Sequence, residues 1–204
     1  MARDMTAGER QDSILDAAFR AFGSYGFRRT SMDDIARGAG LSRTALYMHF
    51  RSKEDIFRRM AERHFAGAEA DMEIALSTPC DDLAAVLERV FAAKDGKFMA
   101  AVLDSPHGSE LLDAGFSVSG DIATISEKRM VDLLGRWFER QLRNKSLGTP
   151  SEVATTLMAA LRGLKVSAGT MVEYRAAQSR LARIFALSIN MDCEEPVALE
   201  RSLK

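Results

Sequence analysis

Between Gly40 and Phe57 the chain reads GLSRTALYMHFRSKEDIF, which gathers Arg43, Thr44, Tyr47 and His49 into about two helical turns. All four side chains form hydrogen bonds, and Ser52 and Lys53 follow at once. Arginine can grip guanine through two parallel hydrogen bonds, while threonine offers a base edge both a hydroxyl and a methyl. Serines at helix starts sit beside exposed backbone N–H groups, which attract phosphate. Such a surface needs an anchor, and Leu46 is the only large apolar side chain inside this short helix. Leu46 must therefore face inward. Thr44 and Met48, each two residues away, lie about 200° round the helix on the opposite side, with Tyr47 beside them. Arg43 is three residues before Leu46, so phase alone does not turn it outward; its length lets it reach from the helix N-terminus.

The elements that must position these groups read as helices throughout. No alternating strand pattern and no Asn-Gly or Asp-Gly hairpin turn occurs. Thr6-Ala7-Gly8-Glu9 is a capping box opening a first helix, whose Ile14, Leu15, Ala18, Phe19 and Phe22 share a face. Thr30-Ser31, followed by Asp33 and Asp34, starts a second helix that shows Met32, Ile35 and Ala36 to the core. It stops at Gly38-Ala39-Gly40; Ser42 caps a third helix and Ser52 a long fourth that ends at Thr78-Pro79. Beyond it, apolar stripes run over Leu83–Phe91, continuing through Phe98, Met99 and Val102 after a break near Asp95-Gly96. Residues 105–120 predict a brief, glycine-interrupted helix with loops. Further stripes follow at Ile122–Leu142, Val153–Ala168 and Ala177–Ser188, with an acidic tail from Asp192.

Three short helices with a glycine turn between the second and third form a helix-turn-helix pattern, in which the third helix lies in the major groove of DNA. The run TSMDDIARGAGLSRTALYMHFRSKEDI, Thr30 to Ile56, closely resembles the DNA-binding signature of the tetracycline-repressor (TetR) family. The likeness extends over roughly residues 8–68. It implies an all-α protein: a helix-turn-helix DNA-binding domain at 1–52, its signature continuing to about 68 through the connecting helix, and a helical regulatory and dimerisation domain at 53–204. It places Arg43, Thr44, Ala45 and Tyr47 on the base-reading face, Ala45 against a thymine methyl. Ser31, Ser42, His49 and Lys53 take phosphate-contacting positions, and Tyr47 shares with His49 a position that usually meets phosphate or sugar. Each residue also has a plain structural alternative. Arg43 can be a solvated arginine, Tyr47 can pack on the first helix, His49 can fix a helix end, and Lys53 can oppose Glu54 and Asp55 locally.

The resemblance further implies a homodimer on a palindromic operator, built from the last two helices. Leu157, Leu161, Leu164, Ala168, Leu181, Ile184 and Phe185 are the candidate interface, with the small Ala159, Ala160, Gly163, Ser167 and Gly169 permitting close approach. It implies a small-molecule pocket in the C-terminal helices, for which Phe98, Met99, Phe116, Met130, Trp137, Met158 and Arg162 are candidates. For the apolar ones an ordinary core is the stronger reading, and for Arg162 a surface or interface position.

Composition restricts the alternatives. At 204 residues, with 47% hydrophobic and 28% charged, the chain can bury a sizeable core. Residues 1–65 hold 12 Lys/Arg against 9 Asp/Glu, and the rest carry the acidic balance, a modest hint of an anionic partner for the first third. MARDMTAGER lacks the apolar run of a secretory signal and no segment is apolar enough to span a bilayer, so a cytoplasmic protein without membrane contact is expected. Cys80 and Cys193 lack CxxC spacing and are expected as free, partly buried thiols. The three histidines show no metal-ligand spacing, Gly115–Ser119 misses the nucleophile-elbow pattern, and P-loop, GxGxxG and HExxH motifs are missing. Neither an enzyme nor a cofactor is expected. The leading expectation is a ligand-released repressor. The alternatives are a TetR-like activator or a DNA binder controlled by a protein partner, and, remotely, an all-helical enzyme or interaction module.

Overall fold

The computed structural model describes residues 6–142 and 146–193, and every regular element among them is helical. The Thr6 hydroxyl accepts the Glu9 N–H at 3.3 Å while Glu9 Oε2 accepts the Thr6 N–H at 2.8 Å, opening α1, Ala7–Tyr25. Gly26 ends it at φ 81°, a conformation glycine adopts without steric cost. Ser31 and Asp34 form a second capping box for α2, Met32–Gly38. Gly40, at φ 67°, turns the chain into α3, Arg43–Tyr47, which Ser42 caps. Ser52 caps α4, Lys53–Ser77. Ile14, Leu15, Ala18 and Phe22 of α1 close a core with Ile35 and Ala36 of α2, Leu46 of α3, Phe50, and Ile56 and Phe57 of α4. Burying each of the large side chains contributes about 1.5–3 kcal/mol.

Asp82 caps α5, Leu83–Phe91. The break expected near Asp95-Gly96 takes the form of a π-helical turn, Ala92–Gly96, leading into α6, Lys97–Leu103. Residues 105–120 differ from the sequence reading. Instead of a brief helix and loops, α7 runs from Gly108 to Gln141, bent at Ser119 (φ −131°, ψ 19°). Gly115 and Gly120 weaken helix propensity there, but Leu111 and Ala114 pack into the core of the N-terminal head, formed by α1, α2, α3 and the start of α4, and burial outweighs propensity. At the bend the Val118 carbonyl accepts Arg58 Nη1–H at 2.8 Å, while Ser119 Oγ donates to the Gly115 carbonyl at 2.9 Å. A third capping box, Thr149 with Glu152, opens α8, Pro150–Ser167, and α9 spans Met171–Cys193.

A second core lies among α4, α5, α7, α8 and α9, centred on Met72, Leu87, Phe91, Met130, Leu134 and Phe138. The head's core does not end at residue 52: Val102, Leu111 and Ala114 complete it from the C-terminal half. Polar contacts fasten the same joint. Ser105 Oγ donates to the Gly23 carbonyl at 2.7 Å, and Glu110 Oε1 accepts the Arg28 N–H at 2.6 Å. Arg58 pairs both nitrogens with Asp121 at 2.7 Å, bonds that hold the Asp121 carboxyl at about 2. Arg63 bridges Asp12 and Asp16 of α1 at 3.1 and 2.6 Å. Cys80 is free and exposed rather than partly buried, because it sits in the loop between α4 and α5. The Cys193 side chain and the tail after it lie outside the described residues. No described helix is long and apolar enough to cross a membrane.

Candidate nucleic-acid interface

Leu46 is fully buried beneath α3, and the opposite side carries Thr44, Tyr47 and Met48, the last 82% exposed. Arg43 stands exposed at the first turn. Its Nη1 donates to Asp33 Oδ2 of α2 at 2.9 Å, and its guanidinium lies 5.5 Å from the centre of the Tyr47 ring. Asp33 first, and then Tyr47, hold this guanidinium more firmly protonated than usual. The two residues thus steady each other on one exposed face, with Ala45 half-buried between them. Met48 brings a bare apolar tip to the same side, suited to a base methyl or a sugar.

The serines work first as caps. Ser42 Oγ accepts the Ala45 N–H at 3.1 Å; Ser31 Oγ accepts the Asp34 N–H at 3.2 Å and donates to Asp34 Oδ2 at 2.6 Å. Those Ser31 bonds, more than the neighbouring Arg37, hold the Asp34 carboxyl below its ordinary range. His49 is half-buried and lines an open groove with Gln11, Asp55, Arg58, Arg59 and Glu62.

Lys53 has a task that its sequence position did not disclose. Its Nζ donates to the carbonyls of Phe27, Arg28 and Thr30 at 2.8, 2.9 and 3.2 Å, and lies 4.9 Å from the Phe27 ring centre. An ammonium has three hydrogens, and three carbonyls take them. Lys53 therefore ties the α1–α2 loop to the start of α4, aided by Thr30 Oγ1 donating to the Gly26 carbonyl at 2.7 Å. Lys53→Met is expected to lower the melting temperature by several degrees and leave the salt dependence of DNA binding unchanged. A slope of log K against log[salt] reduced by about one, with no loss of stability, would instead make Lys53 a phosphate contact.

Residues 14–60, which span α1, α2, α3 and the first turns of α4, match the family described as bacterial regulatory proteins, tetR family. That N-terminal segment belongs to the TetR family. Its N-terminal part is similar to the HTH-type transcriptional regulator AcrR of Shigella flexneri, 36% identical over 83 residues, covering 40% of this chain and 39% of AcrR. The HTH-type transcriptional activator FasR of Mycolicibacterium smegmatis is 35% identical over 86 residues, covering 41% and 39%. The aligned part thus spans well under half the length of these relatives. The fold of the whole chain is similar to that of SmeT, the repressor of the Stenotrophomonas maltophilia multidrug efflux pump SmeDEF. There the TM-score is 0.60 at 21% identity over 98% of both chains, and 0.60 at 20% identity for SmeT in complex with triclosan, over 96% and 99%.

In the C-terminal half, the seven pocket candidates do not meet around one space. Met130, Trp137 and Met158 are packed into the larger core, Met99 is buried, and Phe98 stacks on His64 at 5.4 Å. Phe116 is 65% exposed, because α7 turns Leu111 and Ala114 inward and leaves Phe116 on its outer side. Arg162 is a surface residue, its Nη2 2.6 Å from Glu127 Oε2.

The interface candidates divide in the same way. Leu157 and Leu161 are fully buried in this subunit's own core, where α8 packs on α7, so they cannot face a partner. Leu164, Leu181 and Phe185 are half-buried against that core, Ala168 is half-buried at the end of α8, and Ile184 is exposed. Among the described residues, the large apolar side chains left exposed on α8 and α9 are Val166, Val172, Ile184 and Leu187.

Sequence reasoning missed a buried polar group in the π-turn. Asp95 is 1% exposed, and its carboxylate meets Lys94 Nζ at 3.1 Å, Lys165 Nζ of α8 at 2.6 Å and Tyr174 OH of α9 at 3.4 Å. Burial alone would push the Asp95 carboxyl up, but Lys94 and Lys165 outweigh it and hold it below its ordinary range. Burial lowers the Lys165 ammonium against the pull of Asp95, and burial followed by Asp95 pushes the Tyr174 hydroxyl up. The one signal in the sequence was Lys94-Asp95 interrupting an otherwise apolar stripe between Phe91 and Phe98.

Proposed function

We propose that this chain is a dimeric, sequence-specific transcriptional repressor that binds a palindromic operator and is released by a small-molecule effector. The observation that carries the reading is α3, which holds Arg43, Thr44, Tyr47 and Met48 outward over buried Leu46 within the segment matched to the TetR family. Ser31, Ser42 and His49 flank that face as the proposed phosphate contacts. The SmeT–triclosan complex supports an effector by analogy of fold alone. FasR is named an activator, which favours activation as the second reading. Either way the chain acts as a regulator in the cytoplasm and not as an enzyme.

Selection from random double-stranded DNA, followed by anisotropy titration on the recovered site, tests the reading. A palindromic consensus bound more tightly at low salt is expected; no enriched sequence would sink it. Deleting the gene is expected to raise transcription of the target, and a fall would assign activation.

The exposed strip Val166, Val172, Ile184 and Leu187 is the proposed dimer face, covered by the same strip of a second copy. The double variant Ile184→Asp/Leu187→Asp is expected to sediment as a monomer at micromolar concentration and to lose at least about tenfold in operator affinity, since one head then meets one half-site. Wild-type sedimentation and binding in that variant would place the interface elsewhere.

A further inference from the structure

The buried polar group of the regulatory half has more donors than acceptors. Lys94 and Lys165 bring six N–H donors to the single Asp95 carboxylate, which Tyr174 also approaches. Gln178, one turn beyond Tyr174 on the inner side of α9, is 7% exposed and its Nε2 has no hydrogen-bond partner. On α5, which packs against α9, the Nε and Nη2 of Arg89 are likewise buried without partners. Their helices are tied at this level: Ser179 Oγ, next to Gln178, donates to Glu88 Oε1, next to Arg89, at 2.6 Å.

The identity of the orphan atoms is informative. Nε and Nη2 form one edge of the guanidinium, and that edge matches the two oxygens of a carboxylate through parallel hydrogen bonds. Gln178 adds a third donor. Arg89 and Gln178 thus offer three unpartnered nitrogens, Nε, Nη2 and Nε2, on two helices that pack together. Buried donors and charges left in this state are costly, and an anion with two acceptor oxygens relieves them. The π-turn Ala92–Gly96, an irregularity often found at functional sites, follows directly on α5.

We propose that Arg89 and Gln178 form the recognition point for a small organic carboxylate. The effector of the proposed repressor is then an acid rather than a neutral or cationic compound. This rests on the regulator reading for its consequence, the release of DNA, but not for the binding itself.

Melting of the full-length chain is measured with benzoate and hexanoate, and with benzamide and hexanamide at matched ionic strength. At least one carboxylate is expected to raise the melting temperature saturably and weaken operator binding about tenfold or more, while its amide does neither. Arg89→Met is expected to melt cooperatively and bind operator as the wild type does, without the carboxylate response. A second variant is independent of the acids chosen: Gln178→Glu places a carboxylate beside the orphan donors. It is expected to melt a few degrees above wild type and ignore added acids. The proposal is overturned by no saturable shift with either acid, by equal shifts from the amides, by a response that survives Arg89→Met, or by a fall in the melting temperature of Gln178→Glu. Absence of operator binding by the wild type before any acid is added would sink the repressor reading alone, with the melting results still deciding the site.

Discussion

Arg43→Ala is expected to weaken binding to the selected operator about 5- to 150-fold, the range that corresponds to one bidentate base contact of about 1–3 kcal/mol. Binding to unrelated DNA is expected to change far less, because phosphate contacts dominate there. The structure sharpens this by showing where Arg43 is held in the absence of DNA. It pairs with Asp33 at 2.9 Å, and both side chains are more than half exposed, so water screens the pair and it holds the guanidinium only weakly. Asp33→Ala is therefore expected to shift affinity by no more than about fivefold, upward if Asp33 only competes with the base and downward if it aims the guanidinium. Anisotropy titrations of both variants at two salt concentrations separate these outcomes. Equal operator binding by wild type and Arg43→Ala would remove Arg43 from the reading face.

The largest effect on stability is expected at Asp95. Asp95→Ala leaves Lys94 and Lys165 buried with no counter-charge, and breaking a buried pair from one side costs about 3–5 kcal/mol. At about 2–4 °C per kcal/mol for a chain of this size, the midpoint should fall by about 10 °C. Acid should reproduce the effect in the wild type. The Asp95 carboxyl is held below its unfolded value, so the stability it contributes is full above the ordinary carboxylate range and is lost as pH falls through its lower folded value. The acid-sensitive part of the melting curve should shrink in Asp95→Ala. An unchanged midpoint would mean that the two lysines reach water once Asp95 is gone.

The head was legible because its signals are local. A cap such as Thr6 or Ser31 needs a partner only three residues away: the Thr6–Glu9 capping box formed as the sequence reads, and α2 starts at Ser31, where Asp33 and Asp34 marked a helix N-terminus. The phase of α3 followed from Leu46 alone, since one buried anchor fixes every other direction on so short a helix. Residues 105–120 were misjudged for the converse reason: Gly115 and Gly120 are local breakers, and what keeps α7 helical is burial of Leu111 and Ala114 against elements nearly a hundred residues earlier. Leu157 and Leu161 show the limit of an apolar stripe, which says that a face is buried but not whether the same subunit or a second copy covers it.

By itself the sequence determined the all-helical class, the helix-turn-helix and the outward face of α3, because periodicity, caps and one anchoring leucine act over a turn or two of chain. Only the tertiary structure decided that Lys53 is spent on three loop carbonyls, that the head's core borrows Val102, Leu111 and Ala114, and that Asp95 gathers Lys94, Lys165 and Tyr174. Each of these is a meeting of groups distant in sequence. Hydrogen-bond satisfaction and burial are properties of the space between elements, and that space exists only after the helices have packed.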